Sequence, residues 1–263
     1  MSLELKTRLA KRIAESGCAS RREAERLIES GRVSVDGQVI NTPVFFVDES
    51  NEIRVGGESI AGKSEEVIIW KFHKPKGVIT TKTDPQNRKT VFDFFGDKIG
   101  RLLYVGRLDY NSEGLLLFTN NGDVARKMEL PSTGLTRTYR ARILGKLTDE
   151  SIRKLENGVT IDKVKYAPVE ILVDRNDDHK STNRWISITI SEGKNREVRK
   201  IMEHFGCTVN RLIRVSYGPF QLGNLPSGEI TRVKNHEVKT FLKALNLPDF
   251  SLNTPGVLRC SDF

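Results

Sequence analysis

Tyr104-Val105-Gly106-Arg107-Leu108-Asp109-Tyr110-Asn111-Ser112-Glu113-Gly114-Leu115-Leu116-Leu117-Phe118-Thr119-Asn120 sets two apolar segments around a polar loop. Each segment has strand length and abuts turn residues, so the stretch predicts strand, loop, strand. A carboxylate on a loop between two core strands is rigidly placed, partly desolvated and open to a cleft, as nucleophilic or acid–base work requires. Local pattern alone fits a turn-forming aspartate ahead of Tyr-Asn-Ser-Glu-Gly better.

Outward from this loop, short apolar segments alternate with turns: Val67–Phe72, Gly77–Thr80, Leu102–Val105, Thr138–Ile143, Val169–Val173, Trp185–Ile190 and Leu212–Val215. Helices are expected over Thr148–Asn157, Asn195–Phe205 and about His236–Leu245, the first two ended by Gly158 and Gly206. Helices inserted among hairpin-connected strands predict an α+β fold, with a mixed, mainly antiparallel sheet and flanking helices over residues 67–245. Asp174–Asn183 reads as a mobile polar loop and residues 246–263 as a loose tail.

Towards the amino terminus the pattern changes. Leu9, Ala10, Ile13 and Ala14 have helical spacing and Gly17 can end that helix. Ser20-Arg21-Arg22-Glu23 then has the spacing of a capping box, followed by the stripe Ala24, Leu27, Ile28 and the stop Gly31. Val33 and Val35 lead through Asp36-Gly37 to Val39, a strand, tight turn and returning strand. This helix-helix-hairpin unit occupies residues 1–60, and residues 61–66, which lack periodicity, form the linker.

The 263 residues carry a formal net charge of +9. Residues 1–60 hold nine basic and ten acidic side chains, so the excess lies in the larger part. Within the small unit the bases are nevertheless bunched towards the start: Arg8, Lys11, Arg12, Arg21, Arg22, Arg26 and Arg32 suit a phosphate-bearing partner. No apolar run approaches the roughly twenty residues of a membrane helix. The start lacks the apolar core of a secretory signal, so a cytoplasmic location is expected. Cys18, Cys207 and Cys260 are too scattered for a disulfide framework or zinc site, with Cys18 read as a small buried filler. There is no GxxxxGK[ST] loop, no strand followed by GxGxxG and no GxSxG elbow, and the four histidines are isolated.

The small unit resembles the RNA-binding module named after ribosomal protein S4, through Leu9-Ala10-Lys11, Gly17, Ser20-Arg21-Arg22-Glu23-Ala24 and Gly31-Arg32-Val33-Ser34-Val35-Asp36-Gly37. The larger part resembles the RNA pseudouridine synthases of the bacterial RsuA/RluB type. Gly106-Arg107-Leu108-Asp109 with Glu113-Gly114-Leu115-Leu116-Leu117-Phe118-Thr119 carries that resemblance. Lys74-Pro75-Lys76-Gly77, Arg137-Thr138-Tyr139 and Glu192-Gly193-Lys194-Asn195-Arg196-Glu197-Val198-Arg199 follow the same pattern.

The resemblance implies isomerisation of uridine to pseudouridine in ribosomal RNA, with Asp109 as catalytic aspartate, Tyr139 as active-site tyrosine and Arg199 as the base paired with Asp109. It implies no metal and no cofactor. The partner would be ribosomal RNA or a pre-ribosomal particle, engaged by a monomer away from membranes. Lys71, Lys74, Lys76, Arg88, Lys89, Arg107, Arg137, Arg140, Arg142 and Arg196 are candidates for gripping RNA phosphates. The Glu-Gly-Lys-Asn-Arg-Glu-Val-Arg form, followed by Arg211-Leu212-Ile213-Arg214-Val215-Ser216-Tyr217-Gly218-Pro219, looks closer to the large-subunit enzymes, which implies large-subunit RNA. A small-subunit enzyme and a noncatalytic ribosome assembly factor are the competing readings.

Overall fold

A computed structural model describes residues 6–60, 66–95, 102–174 and 183–247. Most of the linker, most of the polar loop and nearly all of the tail fall outside them. The chain divides into two compact units on either side of Val67.

The first unit runs β1 (Thr7–Arg8), α1 (Leu9–Glu15), α2 (Arg21–Glu29), β2 (Val33–Val35), β3 (Gln38–Ile40), β4 (Phe46–Val47), β5 (Ile53–Val55) and β6 (Glu58–Ser59). Leu9, Ile13, Ala24, Ile28, Val33 and Val47 close its core. Ser20 caps α2 by accepting a hydrogen bond from Glu23 N at 3.2 Å. Asp36 and Gly37 both take left-handed backbone (φ 49° and 82°), which the two-residue turn between β2 and β3 requires. Thr7 and Arg8, just ahead of α1, pair with Val47 and Phe46 in a short ladder. Cys18, expected in the core, is exposed, because it follows the left-handed Gly17 that turns the chain out of α1.

The second unit comprises β7 (Ile69–Lys74), β8 (Leu103–Val105), β9 (Glu113–Thr119), α3 (Gly122–Glu129), β10 (Arg137–Leu144), α4 (Asp149–Glu156), β11 (Val159–Ile161), β12 (Val164–Tyr166), β13 (Glu170–Val173), β14 (Asn183–Ile190), α5 (Glu197–His204), β15 (Thr208–Tyr217), β16 (Phe220–Gln221), β17 (Ile230–Arg232) and α6 (Asn235–Ala244). Its main sheet has the order β13-β14-β10-β15-β9-β7-β17, with β16 on β15 and β8 on β9. Among these strands only β15 and β9 run parallel; the other pairs are antiparallel.

The apolar run Leu115-Leu116-Leu117-Phe118 explains why β9 sits inside the sheet. All four side chains are fully buried, which needs cover on both faces. Strand β10 alternates instead, with Tyr139, Ala141 and Ile143 turned into the core. Gly77–Thr80, expected as a strand, forms only an isolated bridge between Ile79 and Thr90. Helix α3 has no counterpart among the expected elements, yet the sequence carries its signal. Asn121 caps it through Asp123 N and Val124 N, and Val124, Ala125 and Met128 make its buried stripe. Among the described residues no helix is long and apolar enough to cross a membrane.

Candidate active site

Sheet register places the candidate residues. Ile188, Tyr139, Arg214, Gly114 and Lys74 are successive Cα partners across β14, β10, β15, β9 and β7, one transverse row spanning five strands. With strands about 4.8 Å apart, Tyr139 stands roughly 10 Å from Gly114. Residues 106–112 enter this row from the β8 side, so Asp109 is delivered to its edge.

Gly114 makes the arrangement possible. Its φ is +101°, and a Cβ there would lie 2.3 Å from the Arg214 carbonyl oxygen and 2.7 Å from Arg214 N. Only glycine allows β15 to approach β9 so closely at this point. Beside it, Arg211 grips Glu113 with two hydrogen bonds of 2.9 Å, holding the two parallel strands together.

The loop bearing Asp109 is held at every carbonyl from Leu108 to Ser112. Thr80 Oγ1 donates to Leu108 O at 3.0 Å, and Lys74 Nζ donates to Asp109 O at 3.1 Å and Ser112 O at 2.9 Å. Gly77 N donates to Tyr110 O at 2.9 Å, and Arg199 Nη2 to Asn111 O at 3.2 Å. Donors from separate parts of the chain thus immobilise five consecutive residues. A catalytic carboxylate depends on such preorganisation, since a displacement of about 1 Å costs on the order of a hundredfold in rate.

Lys74 therefore has a different role from the one expected. It is fully buried, and its third hydrogen bond goes to Pro75 O at 3.0 Å. Burial pushes its ammonium down to about 8, opposed by the charges of Asp109 and Glu113. It cannot reach an RNA phosphate. The same correction applies to Arg137, which is buried and spends its guanidinium on Leu135 O, Ser191 O, Met128 O and the Tyr217 hydroxyl. Both residues face inward because the pleat directs them there and carbonyls converge to receive them.

Arg196, expected among the RNA-gripping residues, and not Arg199 stands nearest the Asp109 carboxylate. The ion pair of Asp109 within 4 Å, among the described residues, is with Arg196, whose Nη1 lies 3.8 Å from Oδ2. Arg196 precedes α5 in a left-handed conformation (φ 55°), which turns its side chain out of the helical course. Arg199 instead donates to Val209 O at 2.8 Å and to Asn111 O, tying α5 to β15 and to the loop. Burial, with the like charge of Arg196, draws Arg199 below the ordinary arginine value, and Asp109 opposes this. The three groups thus form one electrostatic cluster, with Arg196 nearest the carboxylate.

The Tyr139 ring is buried, and its hydroxyl has no hydrogen-bond partner among the described residues. A packed ring with an uncommitted hydroxyl can offer a flat apolar face and an acidic proton. Lys76, Arg88 and Arg107 are exposed in this unit, as are Arg8, Arg21, Arg22, Arg26 and Arg32 in the small one. Lys11 and Arg12 are half-buried on α1, Lys11 pairing with Glu15 at 3.5 Å. Glu197, absent from the expected site residues, is buried at the start of α5 and accepts from Lys194 N at 2.8 Å. Burial raises its carboxyl to about 7. Its position three residues after Lys194, at a helix start, is the signal that could have found it.

A family model described as RNA pseudouridylate synthase matches residues 68–204, and one for the S4 domain matches residues 7–53. The chain is 45% identical over 228 residues to a Rickettsia felis protein named as an uncharacterized RNA pseudouridine synthase, covering 87% of this chain and 97% of that one. It is 40% identical over 238 residues to ribosomal large subunit pseudouridine synthase B of Bacillus subtilis, covering 90% of this chain and 96% of that one at closely similar length. A crystal structure of a pseudouridylate synthase shares the fold with a TM-score of 0.63 at 24% identity, covering 90% of this chain and 99% of that one.

Proposed function

The chain belongs to the RNA pseudouridylate synthase family, and from that premise we propose that it converts a specific uridine of large-subunit ribosomal RNA to pseudouridine. In this reading Asp109 is the catalytic carboxylate, Tyr139 packs against the uracil and handles a proton, and Arg196 and Arg199 position the carboxylate. The observation that carries it is the loop from Leu108 to Ser112, whose five carbonyls are all held while the Asp109 side chain remains partly open. A merely structural turn has no need of such restraint.

The reaction is an internal rearrangement. The bond from C1′ to N1 breaks, the base turns, C1′ bonds to C5, the C5 proton leaves and N1 takes one up. Atoms and electrons balance within one nucleotide, so no oxidant or co-substrate is called for. The freed base must be retained while it turns, which a water-excluding pocket achieves. Access to the uridine requires its extrusion from any helix, the pattern of enzymes that act on bases.

The small unit then serves as an RNA anchor. Its exposed Arg21, Arg22 and Arg26 lie along one short helix, and folded RNA is gripped largely through phosphates and shape. The whole works as a cytoplasmic monomer, with residues 1–60 binding and 67–245 catalysing.

Asp109→Asn tests the proposal, because it keeps size and removes the charge. Release of tritium from C5-labelled uridine in ribosomal RNA should vanish while RNA affinity stays within a few fold. Full turnover in that variant would sink the assignment of Asp109. Mapping pseudouridines in ribosomal RNA from cells with and without the gene names the subunit. An unchanged map alongside retained RNA binding would favour a noncatalytic assembly factor.

A further inference from the structure

Tyr110 directly follows Asp109, yet the two side chains meet different neighbours. The Asp109 carboxylate faces Arg196, ahead of α5. The Tyr110 hydroxyl end lies over Gly77, where a Cβ would come within 3.8 Å of it, and stands within electrostatic reach of Arg88. Tyr110 is 48% exposed, makes no ring contact with a described aromatic residue, and its hydroxyl has no hydrogen-bond partner among the described residues. Its backbone is the opposite of loose: its own carbonyl is held by Gly77 N, and those on either side by Lys74 and Arg199.

A large aromatic ring kept in water on an immobilised loop loses little conformational freedom when something flat covers it. Nucleobases are flat, and stacking on an exposed aromatic side chain is a principal way proteins hold unpaired ones. The surroundings select for that chemistry. The Arg88 guanidinium, within electrostatic reach of the ring, is held by Asp84 through two hydrogen bonds of 2.8 Å and 3.0 Å. Lys76 is exposed one residue before Gly77 and has no ion-pair partner among the described residues, so it is available to a phosphate. Gly77 (φ +78°) leaves the turn beneath the ring without a side chain.

Resting on the reading of the site as a pseudouridine synthase, we propose that Tyr110 stacks on the unpaired base adjoining the target uridine, with Lys76 at the phosphate between them. Extruding a uridine deprives its neighbour of a stacking partner, and the Tyr110 ring replaces that partner one residue away from the reacting carboxylate. Tyr110 is thus an RNA-binding residue rather than a catalytic one.

The test is a double-mutant cycle on the full-length protein. The probe is the fragment of ribosomal RNA that the wild type binds most tightly, with single abasic substitutions scanned through its unpaired segment. Tyr110→Ala and Tyr110→Leu should each lose on the order of ten- to a hundredfold in affinity for the intact fragment. Tyr110→Phe and Tyr110→Trp should stay within about threefold of wild type, since both keep a stacking face. One abasic position should remove most of the difference between the wild-type and Tyr110→Ala proteins, as coupled pairs do. Overturning results are a Tyr110→Ala variant with wild-type affinity, a Tyr110→Leu variant as good as Tyr110→Phe, or a loss that persists equally at every abasic position. Because binding is measured apart from tritium release, a wild type that binds but forms no pseudouridine would refute the reaction, while the cycle still decides the stacking.

Discussion

Replacing Lys74 by methionine should separate stability from catalysis in this protein. The substitution keeps the length of the stem and removes the ammonium that donates to Pro75 O, Asp109 O and Ser112 O. Asp109 O retains a second donor, Ser112 N at 3.0 Å, so two carbonyls lose their donors. Each costs about 1–3 kcal/mol if left unsatisfied. Against this, holding a buried ammonium whose value falls from 10.5 to about 8 costs roughly 3 kcal/mol at neutral pH, and methionine relieves that cost. The net change lies between about 1 kcal/mol of stabilisation and 3 kcal/mol of destabilisation. Turnover should fall on the order of a hundredfold, because the Asp109 loop loses its central anchor. Urea unfolding and single-turnover tritium release measure the two quantities. The pH dependence adds a signed check. In wild type the unfolded chain holds the Lys74 proton more tightly, so this group makes stability rise between about pH 8 and 10.5, and the methionine variant should lack that rise. Turnover within about threefold of wild type would refute the loop-anchor reasoning.

Gly114→Ala should lose several kcal/mol and largely fail to accumulate as folded protein, since the new methyl group would overlap the Arg214 backbone; a melting temperature within a few degrees of wild type would contradict the close approach. Glu197→Gln keeps the acceptor for Lys194 N. In wild type the folded state holds this proton up to about pH 7 and the unfolded state only to 4.5, so stability declines as pH rises through that window. The glutamine variant should be more stable by up to about 3 kcal/mol at about pH 8 and equal at about pH 4, as read by denaturant titration. Arg196→Gln should reduce turnover at least as much as Arg199→Ala, by about tenfold or more, because its guanidinium is the one beside Asp109; wild-type kinetics in Arg196→Gln would return the pairing to Arg199. Tyr139→Phe should bind RNA normally and lose about a hundredfold in turnover, whereas a tyrosine used only for packing would leave the rate intact.

Much of this protein is legible without coordinates because its signals are local. Four consecutive apolar residues at 115–118 mark a strand buried on both faces, Ser20 and Thr148 announce helix starts, and Asp36-Gly37 fixes a hairpin turn. The motif around Asp109 identifies the family for the same reason, since a tight turn between core strands constrains neighbouring residues together. Long polar side chains are another matter. Lys74, Arg137, Arg196 and Arg199 look alike in a sequence, as cations whose default place is water. Which of them is sealed inside depends on where carbonyls from distant segments converge, and that is set by the register of β7, β9, β10 and β15. Register also brings Tyr139 level with Gly114 and makes that glycine the contact on which the parallel pair depends. Local backbone preference is written in adjacent residues, while the partner of a flexible charged side chain exists only once non-adjacent strands have met.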